Sequence, residues 1–407
     1  MKTSYPKSKI NVLLLENIHD EAVSQFKSEK YNVIHLSHSL SEDELCEKIK
    51  DIHILGIRSK TTISEKILRS ANHLWAIGAF CVGTKQIDLM SCSDHGVIVF
   101  NAPYSNTRSV VELAISEIIF LMRQIFPRSM EMHQGQWRKV ASRSFEVRGK
   151  KLGIVGYGNI GSQLSVLAEN LGMEVYYYDP VEKLALGNAK KCSALKELLK
   201  TVDVVSLHVD DNPSNHELMG KREFAHMNQG SYFMNLSRGF VVDVNALADA
   251  LQSGHLAGAA IDVFPEEPKA NTDEFDTILQ NIPNVILTPH VGGSTEEAQC
   301  NIAKFVPSNI IHYINMGDSF MSVNFPQIQL SSFENSHRLI HIHKNAPGVL
   351  ANINKLFAKH HINILGQYLK TNERIGYVIT DVDKHYDEGL IAELREVPYT
   401  LKFRVLY

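Results

Sequence analysis

Lys151-Leu152-Gly153-Ile154-Val155-Gly156-Tyr157-Gly158-Asn159-Ile160-Gly161 decides the fold. An apolar run long enough for one buried strand ends in Gly-x-Gly-x-x-Gly, and residues 162–171 continue with helical spacing. Gly156 permits the tight turn, Gly158 lets the backbone approach a pyrophosphate, and Gly161 lets helix and strand pack closely. The N–H groups that open the helix then face the phosphates. A bare glycine pattern is often only a loop; strand before and helix after make it a dinucleotide turn. A second strand, 175–178, runs into Asp179, 18 residues after Gly161. A carboxylate there accepts hydrogen bonds from both ribose hydroxyls and repels a 2′-phosphate, which selects NAD over NADP. The competing reading is a flavodoxin-like βαβ unit without a dinucleotide; glycines and acid together weigh against it.

Further strands follow at 202–209, 231–236, 258–263 and 285–288, several apolar throughout, as expected for strands covered on both faces. Upstream, 11–15, 32–36 and 52–57 read as strands, with a capped helix start at Ser41-Glu42-Asp43-Glu44. Asn106 and Thr107 cap a long helix whose apolar positions Val111, Ala114, Ile115, Ile118, Ile119 and Met122 share one face. Ser294-Thr295-Glu296-Glu297 opens another, about five turns long, toward Met316. It carries the chain back to the first block, so that domain is discontinuous. After a polar linker at 327–336, the tail reads βαββαβ, a ferredoxin-like order. The fold class is therefore α/β: doubly wound parallel sheets in two Rossmann-like domains, plus a C-terminal α+β domain. The expected division is 1–105 with 297–330, 106–296, and 337–407.

Composition narrows the function. The 407 residues suit two or three domains. A net charge of −4 argues against nucleic acid as partner. No apolar run reaches the roughly 18 residues of a membrane span, and the N-terminus lacks the apolar core of a signal peptide. Five scattered cysteines without Cys-x-x-Cys fit a reducing cytoplasm. The 19 histidines include His341-x-His343, but no acidic or thiol ligands stand at fixed spacing, so no metal is expected.

Ligands bind beyond the carboxyl ends of parallel strands. Arg238 in Asn235-Leu236-Ser237-Arg238-Gly239, Glu267 in Pro265-Glu266-Glu267-Pro268, and His290 in Thr288-Pro289-His290-Val291-Gly292-Gly293 all follow strand ends. An arginine fork holds a carboxylate and polarises an adjacent carbonyl. A histidine beside a glutamate shuttles protons. Taken singly, Arg238 reads as a surface charge, Glu267 as a solvated loop acid and His290 as a strand-end cap; together, behind a nucleotide turn, they converge. Gly56-Ile57-Arg58-Ser59-Lys60-Thr61 places two cations and two hydroxyls beyond a strand, suited to a phosphate or carboxylate, or else merely solvated.

These segments, with the tail stretch His341-Ile342-His343-Lys344-Asn345-Ala346-Pro347-Gly348-Val349-Leu350, resemble the D-isomer-specific 2-hydroxyacid dehydrogenase family end to end. Within it, the chain is similar to the bacterial short-form branch that oxidises D-3-phosphoglycerate and carries one C-terminal ACT domain. The resemblance implies that Arg238, Glu267 and His290 are catalytic. It implies NAD contacts at Gly156, Gly158, Asn159, Ile160, Gly161, Asp179, Leu236, Ser237, Arg238, Asp262, His290, Val291, Gly292 and Gly293. Substrate contacts would come from Arg58, Ser59, Lys60 and Asn106. The relatives carry arginine where this chain has Lys60, which keeps the charge and loses the bidentate geometry. Trp137 and Lys139 would reach a neighbouring subunit's cleft. The implied reaction yields 3-phosphohydroxypyruvate, the first step of L-serine synthesis. The implied assembly is a cytoplasmic homotetramer inhibited by L-serine, held by His343 and Asn345 on the loop after the first tail strand and by Asn363 of the facing subunit. Rivals are oxidation of another D-2-hydroxy acid such as lactate or glycerate, reduction of 2-oxoglutarate, and a non-catalytic NADH-sensing protein.

Overall fold

The computed structural model describes residues 4–268, 272–331, 336–383 and 388–406. They form two compact units, one running to Ser105 and resuming at Gln299, the other Asn106–Ala298.

The first unit begins with β1 (Asn11–Leu14), α1 (Asp20–Ser28), β2 (Asn32–His35), α2 (Glu42–Lys48), β3 (Ile54–Ile57), α3 (Glu65–Ser70), β4 (Ala76–Ala79), α4 (Leu89–Asp94) and β5 (Ile98–Phe100). The five strands are parallel in the order β2-β1-β3-β4-β5. Strand residues alternate between two cores. Leu13, Leu55, Ile57, Ile77 and Val99 pack with Leu45, Ile67 and Leu68 of α2 and α3. Val12, Leu14, Ile54, Ala76 and Phe100 face the other way. Ser41 closes a capping box with Glu44 and so starts α2, as its sequence predicts. Strands β4 and β5, of four and three residues, escaped the sequence reading.

The second unit holds α5 (Thr107–Arg123), α6 (Ile125–His133), β6 (Lys151–Val155), α7 (Asn159–Asn170), β7 (Glu174–Tyr178), β8 (Lys190–Lys191), α8 (Leu195–Thr201), β9 (Val204–Leu207), α9 (Lys221–His226), β10 (Ser231–Asn235), α10 (Val244–Gln252), β11 (Leu256–Ile261) and β12 (Val285–Leu287). Its seven strands lie in the order β12-β11-β10-β9-β6-β7-β8. From β6 the chain winds outward one way through β7 and β8, and from β9 the other way through β12. The switch point between β6 and β9 is where such sheets open a ligand crevice. One sheet face packs with α8, α9 and α10, the other with α5 and α7. On α5, Val111, Ala114, Ile118 and Met122 are buried as expected, and so is Glu117, at 3% exposure.

Helix α11 (Glu296–Met316) opens where Thr295 Oγ1 accepts from Ala298 N at 3.1 Å. The tail follows as β13 (His337–Lys344), α12 (Val349–Lys359), β14 (Ile364–Thr371), β15 (Ile375–Val382), α13 (Glu388–Arg395) and β16 (Thr400–Val405), an antiparallel sheet ordered β14-β15-β13-β16. One face packs on α12 and α13 through Leu339, Val378, Val382, Ile353 and Leu390. The other face is not free. Ile340, Ile342, Ile375, Tyr377 and Ile379 enter the same core as Ile310, Tyr313 and Ile314 of α11 and Val12 and Phe100 of the parallel sheet. Tyr377 Oη donates to Gly317 O at 2.7 Å, Arg338 holds Asp381 in a fork at 2.7 and 2.8 Å, and Arg404 lies over the rings of Trp75 and Tyr313. The expected linker is therefore not simply polar and solvated. Ile328 is buried, and its N–H donates to Ser319 Oγ at 2.8 Å. Linker residues 332–335 lie outside the described residues.

Candidate active site

The nucleotide turn has the form its glycines demand. Gly156 has φ 92°, and a Cβ there would meet His208 O at 2.6 Å. A Cβ on Gly161 would lie 2.3 Å from Gly156 O, whereas Gly158 has open space around it, as a residue facing a ligand should. Helix α7 opens at Asn159 and Ile160, so its unpaired N–H groups point out of the turn. Asp179 follows β7. Its Oδ2 accepts from Tyr157 N and its Oδ1 from Val181 N, both at 2.9 Å, which joins the acid to the glycine turn. A surface cavity beside it is lined by Tyr178, Asp179, Pro180, Lys191, Cys192 and Ser193. The carboxylate keeps accepting capacity for ribose hydroxyls. Open space at Gly158 and an acid tied to the turn fit NAD.

The chemistry lies past β10, β11 and β12. His290 Nδ1 meets Glu267 Oε2 at 2.8 Å, and Glu267 Oε1 accepts from Phe264 N at 3.1 Å. The Glu267 hydrogen bond holds the imidazole pKa above its ordinary value, against the opposing effect of burial. Burial lifts the Glu267 carboxyl, but the His290 hydrogen bond, the Phe264 N–H and the charges of His290 and Arg238 outweigh it and leave that pKa lowered. Arg238 thus stands close enough to act on both partners. Glu267 and His290 of the predicted trio are in hydrogen-bond contact, and the Arg238 charge acts on both.

Asp262 shapes the turn that carries His290. Its backbone carbonyl accepts from His290 N at 2.8 Å. Its carboxylate accepts from Thr288 Oγ1 at 2.6 Å and from Val291 N and Gly292 N at 2.9 Å each. So held, His290 takes a left-handed φ of 53°. Asn235 does the same for the neighbouring segment: its Oδ1 accepts from Ser237 N and Oγ, and its Nδ2 donates to Arg238 O. Leu236 and Ser237 are buried behind Arg238. A Cβ on Gly239 would lie 1.9 Å from the Phe264 backbone, so only glycine lets these two strand ends approach. Gly293 packs on Asn106, where a Cβ would meet Nδ2 at 2.4 Å, which places that substrate candidate beside the His290 turn. Sequence reasoning missed Thr288, Asn235 and the Phe264 N–H, although each neighbours a residue it chose.

Arg58, Ser59 and Lys60 belong to the first unit, just past β3. Neither Arg58 nor Lys60 has a carboxylate partner among the described residues, so both charges are available to a ligand. Trp137 is 79% exposed, with Lys139 exposed beside it. In the tail, His343 lies within β13 and not on the loop after it. It pairs with Gly376, whose missing Cβ leaves room for the ring; a Cβ would stand 2.2 Å from Cε1. Asn345 does follow the strand, donating to Asn372 O at 2.8 Å. Asn363 is exposed just before β14. No group of three His, Cys, Asp or Glu side chains among the described residues could hold a metal. No described helix is long and apolar enough to cross a membrane.

The NAD binding domain of the D-isomer specific 2-hydroxyacid dehydrogenases matches residues 115–292, and an acetohydroxyacid-synthase small-subunit-like ACT domain matches 339–402. The D-3-phosphoglycerate dehydrogenase of Dictyostelium discoideum is 51% identical over 100% of this chain and 99% of its own. That of Escherichia coli K12 is 48% identical over the full length of both. Among solved structures, a D-lactate dehydrogenase from a Sporolactobacillus species is 28% identical with a TM-score of 0.67, covering 77% of this chain and 99% of its own. The D-lactate dehydrogenase of Aquifex aeolicus, solved with NAD and lactic acid, is 25% identical with a TM-score of 0.68, covering 78% of this chain and 100% of its own. With full-length identity near one half and a matching cofactor domain built around the paired His290 and Glu267, the chain belongs to the D-isomer specific 2-hydroxyacid dehydrogenase family.

Proposed function

We propose that this chain oxidises D-3-phosphoglycerate to 3-phosphohydroxypyruvate with NAD. The observation that carries the reading is the His290–Glu267 pair at 2.8 Å, with Arg238 acting on both, past the strand ends of a dinucleotide sheet. The Gly156–Gly161 turn and Asp179 would hold NAD, which would supply the acceptor for the C2 hydride. His290 Nε2 takes the C2 hydroxyl proton, Glu267 holds the ring and steadies the imidazolium that forms, and Arg238 binds the carboxylate and the developing carbonyl. Asp262 keeps the His290 turn in place and stands on the nicotinamide side. Arg58, Ser59 and Lys60 take the phosphate, with Asn106 as a further substrate contact. A D-lactate or D-glycerate enzyme has no need of the Arg58 and Lys60 cations, and an NADH-sensing protein has no need of an intact trio. Steady-state NADH formation with D-3-phosphoglycerate, D-glycerate and D-lactate tests this reading; preference for an unphosphorylated acid would overturn it.

The tail supports regulation by L-serine in a homotetramer. His343 pairs with Gly376, which pairs with Thr371, while Ile364 pairs with Val382, which pairs with His337. Asn363 therefore sits at the opposite end of the sheet from His343 and Asn345, roughly 20 Å away at about 3.3 Å per residue. One chain cannot close all three on an amino acid; a second chain, related by a two-fold axis and meeting the exposed edge strand β14, could. Trp137 and Lys139 are free to reach a neighbour in the same assembly. None of the five cysteines is in a disulfide, which suits a reducing cytoplasm.

A further inference from the structure

Glu16 stands just past β1, and the sequence offers no reason to notice it. It is 93% buried, with a relative exposure of 7%, and its φ is 62°. A left-handed glutamate followed by a left-handed Asn17 (φ 53°) is a conformation that the surroundings must hold. Two backbone bonds do so: Glu16 N donates to His38 O and Asn17 N to Leu36 O, each at 3.2 Å. The turn aims the carboxylate at the loop after β3. Oε2 accepts from Lys60 N at 3.0 Å and Oε1 from Thr61 N at 2.8 Å. No described cation pairs with it. From the other side, Gln86 Nε2 donates to Arg58 O at 2.7 Å.

The loop is thus pinned at both ends while Ser59 and Lys60 stay exposed. Because the Lys60 and Thr61 N–H groups point inward to Glu16, they are not available to a ligand. A phosphate here must be held by side chains, and their direction depends on the backbone that Glu16 sets. A buried carboxylate near an anion site works against binding by simple charge, so retaining it makes sense only if the geometry it imposes is worth more. We infer that Glu16 is a positioning residue for substrate recognition, fixing the backbone from which Arg58 and Lys60 present their charges to the phosphate. This inference rests on the reading that the Arg58–Lys60 loop takes the phosphate.

The test uses the full-length enzyme. Glu16→Gln keeps the shape but turns an amide donor against one of the two N–H groups. It should raise the KM for D-3-phosphoglycerate about tenfold, as loss of a charge-assisted bond would. Turnover, the KM for NAD and the residual activity on unphosphorylated D-glycerate should stay within about twofold. Glu16→Asp, which keeps the charge and shortens the reach, should give an intermediate rise, and it decides the matter if the glutamine variant does not fold. Arg58→Ala is measured beside them. If Arg58→Ala raises the phosphoglycerate KM and the Glu16 variants do not, the inference is lost and the phosphate loop stands. If Arg58→Ala leaves that KM unchanged, the phosphate-loop reading itself fails. If the Glu16 variants depress activity on both substrates and NAD affinity alike, Glu16 is structural only and the inference is overturned.

Discussion

Replacing Glu267 by glutamine tests the proton shuttle directly. The substitution leaves a hydrogen-bonding group near His290 Nδ1 but removes the charge that now lies 2.8 Å away. A charge-assisted hydrogen bond contributes about 1.5–3 kcal/mol. The His290 and Glu267 side chains are 52% and 35% exposed, so solvent screening favours the low end. At about 1.4 kcal/mol per tenfold, turnover in the oxidative direction should fall roughly 10-fold from charge alone, and toward 100-fold if the ring also loses its orientation. The pH dependence gives a second readout. Glu267 raises the His290 pKa, so the wild-type ring stays protonated to higher pH, and oxidation, which needs the neutral base, rises with pH through that value. Without the carboxylate the His290 pKa drops, so the rising limb of oxidation moves to lower pH. Reduction of the oxo acid, which needs the protonated ring, then fades at lower pH than in the wild type. Steady-state NADH formation and consumption across the neutral range, with His290→Ala as the fully disabled reference, measures both. Unchanged turnover together with an unmoved limb would refute the pairing as a catalytic device.

Asp179→Ala should raise the KM for NAD and narrow the preference over NADP, and because Asp179 also accepts from Tyr157 N and Val181 N, Asp179→Asn should do the same more mildly; a wild type that uses NADP equally well would contradict the assignment. Millimolar L-serine should inhibit the wild type and inhibit Asn345→Ala and Asn363→Ala less; equal inhibition of all three would put the effector elsewhere. Glu117 has no hydrogen-bond partner for either carboxyl oxygen, and burial, with the Asp262 charge adding to it, pushes its pKa up from 4.5 to about 8. The native state then binds a proton that the unfolded chain has released, so the penalty grows as pH rises from 4.5 and levels off above about 8. Glu117→Gln should therefore be more stable than the wild type at neutral and alkaline pH, by about 3 kcal/mol at neutrality, and equally stable in acid; equal melting temperatures at every pH would show that the acid is already ionised or solvated.

What the sequence made legible follows from how strongly each residue is constrained. The glycine turn was readable because Gly156 and Gly161 have no substitute at their positions. The meeting of Glu267 and His290 was readable because strand ends are where a parallel sheet gathers side chains. Glu16 was not, since a glutamate after a strand looks the same whether it is solvated or, as here, turned inward by two left-handed residues. His343 was placed one step too far along because its site depends on Gly376, 33 residues away and across the sheet. The shared tail core was half visible: Ile375-Gly376-Tyr377-Val378-Ile379 is apolar on both alternations, the mark of a strand covered on both sides, but nothing in the strand says what covers its second face.

That second face bears on what truncation would do. A tail joined to the parallel sheet through Ile340, Ile342, Tyr377 and Ile379 on one side and Tyr313 and Phe100 on the other is expected to melt with it as one cooperative block. A chain cut before β13 would leave the α11 side of that core open to water. Such a fragment should not behave as an enzyme merely relieved of its regulator; it should lose solubility and show a lower, broader thermal transition. Deregulated variants are better sought by point changes at the outer edge of the tail than by removing it.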